Sequence, residues 1–265
     1  MPKWADNISA VSIEKVVKAA LRDDSIDDIQ RAVVFHDIDL LHDRLDILHD
    51  TFPNNSLHAV AIKANPLVRL LREVVKNNCG LETASIEEVY IARAAGCPAT
   101  KIVFDSPAKT IGELNEALQA GYIINVDNFD ELARIEDILQ VNPKHGHIGL
   151  RINPMVGAGK IAITSVADGA SKFGIRIDSG RARIIEAFKK YPWLSGLHIH
   201  VGSQGCDLPM LIRGAQEIAL MLTEINTLFG GQRIKFVDIG GGLPVAYKET
   251  DTPPSVEDYV SALAR

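Results

Sequence analysis

The sequence predicts an α/β protein that folds as a (β/α)₈ barrel without its eighth strand. Short apolar runs alternate with amphipathic stretches in strict βαβα order, about every 21 residues, which predicts a parallel sheet. Polar or glycine-rich tails follow the strand cores, as expected where the carboxyl ends of barrel strands converge on one mouth. The length of 265 residues also suits one barrel. A doubly wound sheet, the alternative, would gather its ligand-facing ends at a switch point and would explain these tails less well.

Seven segments have the apolar core of a buried parallel strand. They are His58–Ala64, Gly80–Ser85, Lys101–Ser106, Tyr122–Asn128, His147–Pro154, Ser195–Gln204 and Phe236–Gly242. A further strand followed by a helix is predicted within Ala32–Leu48. No segment supplies an eighth barrel strand, and the missing strand would leave two open sheet edges, which native proteins avoid. Either the chain is a fragment, or its first roughly 50 residues close the barrel irregularly.

Amphipathic helices are predicted between the strands, because apolar residues there recur at a spacing of three to four. Glycines at positions 80, 96 and 121 are expected to end helices before the next strand. The last helix is predicted in the sequence SVEDYVSALAR, which ends the chain.

The composition excludes several classes of protein. The formal net charge is −6 and no basic run occurs, which argues against nucleic acid or an anionic membrane as the main partner. Cys79, Cys97 and Cys206 are far apart, so they predict no disulfide framework or metal site and suit a reducing compartment. The first residues lack the apolar stretch of a signal peptide, and no apolar run approaches the roughly 18 residues of a membrane span. We therefore expect a cytoplasmic protein.

Lys63 is a candidate nucleophile because it stands in VAIKAN at the end of the first strand. A partly desolvated amine has a lowered pKa and attacks an aldehyde more readily. Taken alone, the residue is better explained as a lysine that extends to solvent or forms an ion pair. The motifs that follow reverse this preference.

The glycines Gly240, Gly241 and Gly242 follow a buried strand directly, in VDIGGGLP. Consecutive glycines let backbone N–H groups approach an anion, and phosphate sites after the seventh strand are common in barrels. The segment does not match GxGxxG. A plain tight turn would explain one glycine well and three poorly, so we predict a phosphate site.

His198 and His200, in LHIHVGSQ, lie on one face of a strand because strand side chains alternate. Three functions compete for them: a metal pair, a general base, or an aromatic platform for a flat ring. A metal pair needs further ligands, which no strand end clearly provides. Two buried histidines bound to backbone groups are the simplest alternative. Ser203 and Gln204, just beyond, could donate hydrogen bonds to a phosphate or a substrate.

Two charged residues also end predicted strands. Arg151, in GLRINP, could bind an anionic oxygen, and Glu82, in GLETAS, could pair with Lys63 or Arg151. Each alone is better explained as part of a structural ion pair. The segment Ser171–Gly174 could reach over the mouth.

Together, VAIKAN, SKFGI, HIHVGSQ and DIGGG, in this order, resemble the fold-type III enzymes that use pyridoxal 5′-phosphate (PLP), and most closely the diaminopimelate, ornithine and arginine decarboxylases. The resemblance extends from about Val33 to Tyr247. It implies a first segment, residues 1–32, that packs with a second domain in relatives, and a PLP-binding barrel over residues 33–265, incomplete at its carboxyl end.

The resemblance also implies a role for each motif residue. Lys63 would be the Schiff-base lysine, and His200 would stack on the pyridine ring. Ser203 and the three glycines would hold the phosphate. Arg151 would lie near the ring, and Glu82 near the lysine, although many relatives carry another residue at the position of Glu82.

The sequence departs from the family at its carboxyl end. Relatives continue into an eighth strand with a Glu-Pro-Gly-Arg segment, whose glutamate meets the pyridine nitrogen, and into an all-β domain that completes a homodimer. We therefore expect this polypeptide alone to show little decarboxylase activity. The function implied is decarboxylation of a basic or diamino acid, leaning to meso-diaminopimelate, which yields lysine.

Several other functions remain open. Ornithine or arginine could be the amino acid that is decarboxylated. A PLP-binding, non-catalytic regulator of polyamine metabolism is less compatible with the retained Lys63, and a racemase is disfavoured by HVGSQ. A metal-dependent hydrolase that uses His198 and His200 would share only the barrel.

Overall fold

The fold was obtained as a computed structural model, which describes residues 10–26, 32–157, 167, 169, 171–247 and 250–265. Within these residues the helices and strands alternate through most of the chain. The helices are α1 (Ala10–Arg22), α2 (Ile38–Thr51), α3 (Val68–Lys76), α4 (Ile86–Ala94), α5 (Ile111–Ala120), α6 (Phe129–Val141), α7 (Ile177–Lys190), α8 (Leu208–Leu228) and α9 (Val256–Leu263). The strands are β1 (Ala59–Ala61), β2 (Gly80–Thr83), β3 (Ile102–Phe104), β4 (Ile123–Val126), β5 (Ile148–Asn153), β6 (Ile175–Arg176), β7 (Leu194–Ile199) and β8 (Phe236–Asp238).

The strands form one parallel sheet in the order β1-β2-β3-β4-β5-β7-β8. All seven predicted strands are present, each shorter than its predicted segment because the polar tail forms a turn instead of pairing. The two-residue strand β6, which pairs with the end of β5, was not predicted. Among the described residues β1 and β8 do not pair with each other, so the sheet and its helices form an open half-barrel. The prediction of a barrel that lacks its eighth strand is confirmed.

Burial falls from the middle of the sheet to its edges. Every residue of β5 and β7 is buried, whereas every residue of β1 and β8 is only half-buried. Helix α9 packs against both α2 and α8, and so connects the helices on the two sides of the gap. The ring of Tyr259 is buried there and meets Phe52 edge-on, with 6.3 Å between ring centroids. The predicted last helix is thus confirmed, and it covers part of the open side of the sheet.

The segment before α2 differs from its prediction. Val33, Val34 and Phe35 form no strand, and Val34 is 78% exposed. The helix predicted after them is present and begins where the Asp37 side chain accepts a hydrogen bond from the backbone N–H of Leu40. Apolar β-branched residues alone predicted a strand here, but the side chains are exposed and no described strand pairs with the segment.

Of the three predicted helix-ending glycines, two are confirmed and one is wrong. Gly96 and Gly121 have φ values of 85° and 82°, the left-handed conformation that ends a helix. Between α3 and β2 that conformation is taken by Asn78, with φ 63°. Gly80 instead opens β2, where a Cβ would lie 2.4 Å from the carbonyl oxygen of Lys101. The close approach of Lys101, just before β3, and not a turn, therefore requires glycine at this position.

No helix in the described part of the chain is both long enough and apolar enough to cross a membrane.

Candidate active site

Lys63 and Glu82 face each other at the carboxyl ends of the first two strands. Strand β1 ends at Ala61, and a short 3₁₀ helix, Ile62–Ala64, carries Lys63 into the mouth. The ammonium Nζ lies 3.6 Å from Oε2 of Glu82, and 57% of the lysine side chain is exposed. The amine is therefore held by one carboxylate and remains open to an incoming ligand. The predicted pairing of Glu82 with Lys63 is confirmed.

The second carboxylate oxygen of Glu82 has no partner. Oε1 is buried and forms no hydrogen bond with any described residue. Burial raises the pKa of Glu82, and the nearby Lys63 ammonium only partly opposes this effect. The Glu82 carboxylate therefore takes up a proton more readily than an exposed glutamate would.

The three glycines after β8 form a loop that excludes side chains. Gly240 and Gly242 have φ values of 68° and 110°, and a Cβ on Gly242 would lie 2.2 Å from the carbonyl oxygen of Gly202. A Cβ on Gly241 would meet nothing within 4 Å, so open space lies beside this residue. The backbone N–H of Gly240 donates to Oδ1 of Asp238 at 2.9 Å. The N–H groups of Gly241 and Gly242 make no hydrogen bond with described residues, which leaves them for an anion.

The turn after β7 packs directly against this glycine loop. Gly202 touches Gly242, as described above, and a Cβ on Gly240 would lie 2.9 Å from Nδ1 of His200. The Gln204 amide donates to the carbonyl oxygen of Val245 at 2.7 Å and accepts from its N–H at 2.9 Å. Gln204 therefore joins the two loops, whereas the sequence predicted a ligand contact for it. The exposed Ser203 follows Gly202 in the same turn.

His200 presents an uncharged ring beside the glycine loop. Burial lowers the pKa of His200 to about 4, helped by the positive charges of His198, Arg151 and Lys63. The imidazole is therefore neutral near pH 7. A flat, half-buried, neutral ring at this position suits the predicted aromatic platform.

A network of charged and polar side chains joins five neighbouring strands: β3, β4, β5, β7 and β8. His198 Nδ1 lies 3.0 Å from Oδ2 of Asp238, and its Nε2 lies 3.4 Å from Oδ2 of Asp105. The same Oδ2 of Asp238 accepts from the Asn125 amide at 2.7 Å. Asp105 also lies 3.5 Å from Nη1 of Arg151. These contacts make His198 part of an ion-pair network. Within the described ranges, no group of three or more His, Cys, Asp or Glu side chains could hold a metal ion.

Arg151 is buried and already surrounded by partners. Besides Asp105, its Nη1 lies 4.0 Å from Oδ1 of Asp127, and its guanidinium covers the ring of Phe173 at 4.8 Å from the centroid. Gly174 donates its N–H to Oδ1 of Asp127 at 3.0 Å. The segment Ser171–Gly174 therefore docks on Arg151 beside the mouth. Two carboxylates, Asp105 and Asp127, already lie beside the Arg151 guanidinium. A direct contact between Arg151 and an anionic ligand therefore stays a prediction.

Four polar residues of the site were not singled out from the sequence: Asp105, Asn125, Asp127 and Asp238. Each stands at the end of a predicted strand or in the polar tail that follows it. The tails that predicted the mouth therefore also contained its charged residues. The signal that was missing was pairing, because the partner of each carboxylate stands on a different strand.

The chain is similar to known PLP-dependent decarboxylases over most of its length. Residues 39–265 match the model of the pyridoxal-binding domain of pyridoxal-dependent decarboxylases. Diaminopimelate decarboxylase of Campylobacter jejuni is 34% identical over 206 residues, which make up 77% of this chain and 50% of the relative. The enzyme of Aquifex aeolicus is 33% identical over 235 residues, 84% of this chain and 53% of the relative. The chain thus spans about half the length of the curated relatives it matches.

A solved structure shares the same fold. The crystal structure of Helicobacter pylori diaminopimelate decarboxylase complexed with L-lysine superposes with a TM-score of 0.79 and 26% identity, over 95% of this chain and 62% of that chain. The matched part is the barrel. Since the family model covers nearly the whole described barrel and the site motifs stand within it, the chain belongs to the pyridoxal-dependent decarboxylases and carries their pyridoxal-binding domain.

Proposed function

We propose that this chain is the cofactor-binding part of an enzyme that decarboxylates meso-diaminopimelate to lysine with PLP. The curated relatives cited above are diaminopimelate decarboxylases, and the Helicobacter pylori enzyme was crystallised with L-lysine. The observation that carries the proposal is the exposed Lys63 amine, held 3.6 Å from Glu82 at the same mouth as the glycine loop. An amine, a neutral ring and free backbone N–H groups are the three features that an aldehyde-bearing aromatic phosphate requires.

The residues present fit this cofactor. Lys63 would bind its aldehyde carbon, His200 would stack on its ring, and Ser203 with Gly240–Gly242 would surround its phosphate. The open space beside Gly241 leaves room for an anion, and a side chain at this position would fill that space. Because the Gly240 N–H is bound by Asp238, we assign the phosphate contacts to the N–H groups of Gly241 and Gly242. Arg151 would lie near the ring as a buried, ion-paired support.

When bound, PLP supplies the electron sink for the electron pair that remains after CO₂ leaves. The chain supplies position and protons. Glu82, whose pKa is raised by burial, lies beside Nζ of Lys63 and can take up a proton from it, and Lys63 passes a proton to or from the substrate side of the mouth. His200 stays neutral and so stacks without repelling a protonated pyridine ring.

We further propose the domain division 1–32 and 33–265, in which the second part is the barrel. Catalysis would need groups from a further domain, and a homodimer would bring some of them to the site. The three cysteines are all free and buried, which supports a reducing, cytoplasmic location. The barrel by itself should bind PLP, because Lys63, His200 and the glycine loop all lie within it.

The first experiment is a PLP titration of the purified chain. We expect an absorbance band at about 420 nm, typical of PLP attached to a lysine, and its loss on borohydride reduction. Peptide mapping should then find the reduced adduct on Lys63. The Lys63→Ala variant should bind PLP more weakly and form no reducible adduct, and an adduct on another lysine would refute the site.

The substrate is tested separately. The chain, mixed with any polypeptide that supplies the remaining domain, is assayed for CO₂ release from meso-diaminopimelate, ornithine, arginine and lysine. Release from ornithine or arginine alone would overturn the diaminopimelate assignment. PLP attachment to Lys63 without CO₂ release from any of them would instead favour a non-catalytic regulator.

A further inference from the structure

His198 lies between two carboxylates that belong to different strands. Its Nδ1 lies 3.0 Å from Asp238, at the end of β8, and its Nε2 lies 3.4 Å from Asp105, just after β3. A neutral imidazole has one N–H donor and one acceptor, so it would turn a lone pair toward one of these carboxylates. Only the doubly protonated ring carries a positive charge beside both carboxylates and turns a lone pair toward neither.

The surroundings agree with a cation at this position. The side chain of His198 is only 3% exposed. Although burial alone would lower the pKa of His198, Asp105 and Asp238 together raise it well above its usual value. Arg151 also pairs with Asp105, and the nearby His200 is neutral, as described above. The buried network therefore has cations at His198 and Arg151 and carboxylates at Asp105 and Asp238.

Asp238 connects this network to the glycine loop. Oδ2 of Asp238 lies 3.0 Å from Nδ1 of His198 and accepts a hydrogen bond from the amide of Asn125. Oδ1 of Asp238 accepts a hydrogen bond from the N–H of Gly240. Both carboxylate oxygens are thus fixed, one by the barrel interior and one by the first residue of the loop. A rotation of this carboxylate would release Gly240 and change the direction of the next two N–H groups.

We infer that His198 is a positioning residue for phosphate binding: by holding Asp238 from the barrel interior, it sets the direction in which the glycine loop presents its N–H groups. The inference rests on the proposed function, because it assumes that this loop binds the phosphate of PLP. It assigns His198 neither to stacking nor to a metal. His198 touches neither the cofactor nor the substrate and acts through Asp238.

The test compares PLP with pyridoxal, which lacks the phosphate. Binding of each to wild type, His198→Phe, Asp238→Ala and the double variant is measured by absorbance titration. His198→Phe should weaken PLP binding about tenfold or more, as expected when a charge-assisted hydrogen bond to the phosphate is misaligned. Its affinity for pyridoxal should stay within about threefold of wild type. Phenylalanine replacement of His147, an exposed histidine before β5, is the control and should change neither affinity.

The double variant tests whether His198 acts on phosphate binding through Asp238. If His198 acts through Asp238, adding His198→Phe to Asp238→Ala should weaken PLP binding no further. The double variant also removes Asp238, the carboxylate that His198→Phe leaves without a cation, so it should fold even if the single variant does not. In the wild type, ¹⁵N NMR should show both ring nitrogens of His198 protonated at pH 7.

The outcomes separate the two proposals. If wild type binds neither PLP nor pyridoxal, the proposed function fails. If wild type binds both and His198→Phe weakens both equally, or if the losses in the double variant add, the positioning role is overturned while the proposed function stands. A neutral His198 ring in the NMR spectrum would also overturn it.

Discussion

Lys109 Nζ lies 2.7 Å from Oε1 of Glu131, and neither side chain is exposed to solvent. The ammonium also donates to the carbonyl oxygens of Ser106 and Asn125, each at 2.7 Å. The other oxygen of Glu131 accepts the N–H of Asp127 at 3.1 Å. This fully bonded pair therefore joins the segments that follow β3 and β4, which carry Asp105 and Asp127 of the mouth.

Lys109→Met should destabilise the chain by about 3–5 kcal/mol, because it leaves a buried carboxylate without its counter-charge. The measurement is urea unfolding followed by circular dichroism. Exchanging both residues for apolar ones of similar size should recover much of the loss. Lys190→Met is the control, since its pair with Glu136 lies at the surface and should matter little. A Lys109→Met variant as stable as the control would contradict the prediction.

Replacing Glu82 by Gln should leave the stability of the chain intact and slow the attachment of the cofactor. Burial raises the pKa of this carboxyl, so the folded state binds its proton more tightly than the unfolded state, and its ionisation costs stability as the pH rises above the usual pKa. At pH 7 the Gln variant should therefore be at least as stable as wild type. Attachment of PLP to Lys63 should be slower, because glutamine cannot accept the proton that the ammonium must lose before it attacks the aldehyde. Thermal unfolding and the rate of the absorbance change test both expectations, and faster attachment would count against the role of Glu82.

The sequence predicted the mouth better than it predicted the contacts inside it. The strand-end tails placed Lys63, His200 and the glycine loop correctly, because alternation and strand order determine which ends converge. The ion pairs of His198 could not be read in the same way, since Asp105 and Asp238 stand about 90 and 40 residues away and only the sheet order makes them neighbours. The contact of Gln204 with Val245 could not be predicted for the same reason, because Val245 lies on another loop.

The strand predicted before α2 is an error of the opposite kind, in which local composition predicted an element that does not form. Local composition there suits a strand, yet a strand also needs a paired neighbour and a covered face. Val33–Phe35 have neither within the described residues. Gly80 likewise looked like a helix end, whereas the nearness of Lys101, known only from the sheet, explains it.

Alanine at Gly241 and at Gly242 should have different effects. At Gly242 the φ of 110° and the carbonyl oxygen of Gly202, 2.2 Å from the new Cβ, should cost about 1–3 kcal/mol of stability. At Gly241 the new methyl group meets no atom within 4 Å, so stability should be nearly unchanged. PLP binding should nevertheless weaken, because the methyl group occupies space assigned to the phosphate. Unfolding curves and PLP titrations of both variants test this, and normal PLP binding by Gly241→Ala would move the phosphate elsewhere.

His200 should make the chain sensitive to acid. Its pKa is lowered to about 4, so the folded state resists protonation, and this contribution to stability is present at neutral pH and is lost as the pH falls from about 6.5 to 4. Integrated over this interval, the loss is on the order of 3 kcal/mol. His200→Phe removes the titrating group and keeps a flat ring, so its unfolding free energy should fall less between pH 7 and pH 4.5. Near pH 7 the variant should retain most of the PLP affinity, whereas His200→Ala should lose about tenfold. Urea unfolding at the two pH values tests the first expectation, and equal acid sensitivity of wild type and His200→Phe would show that another group is responsible.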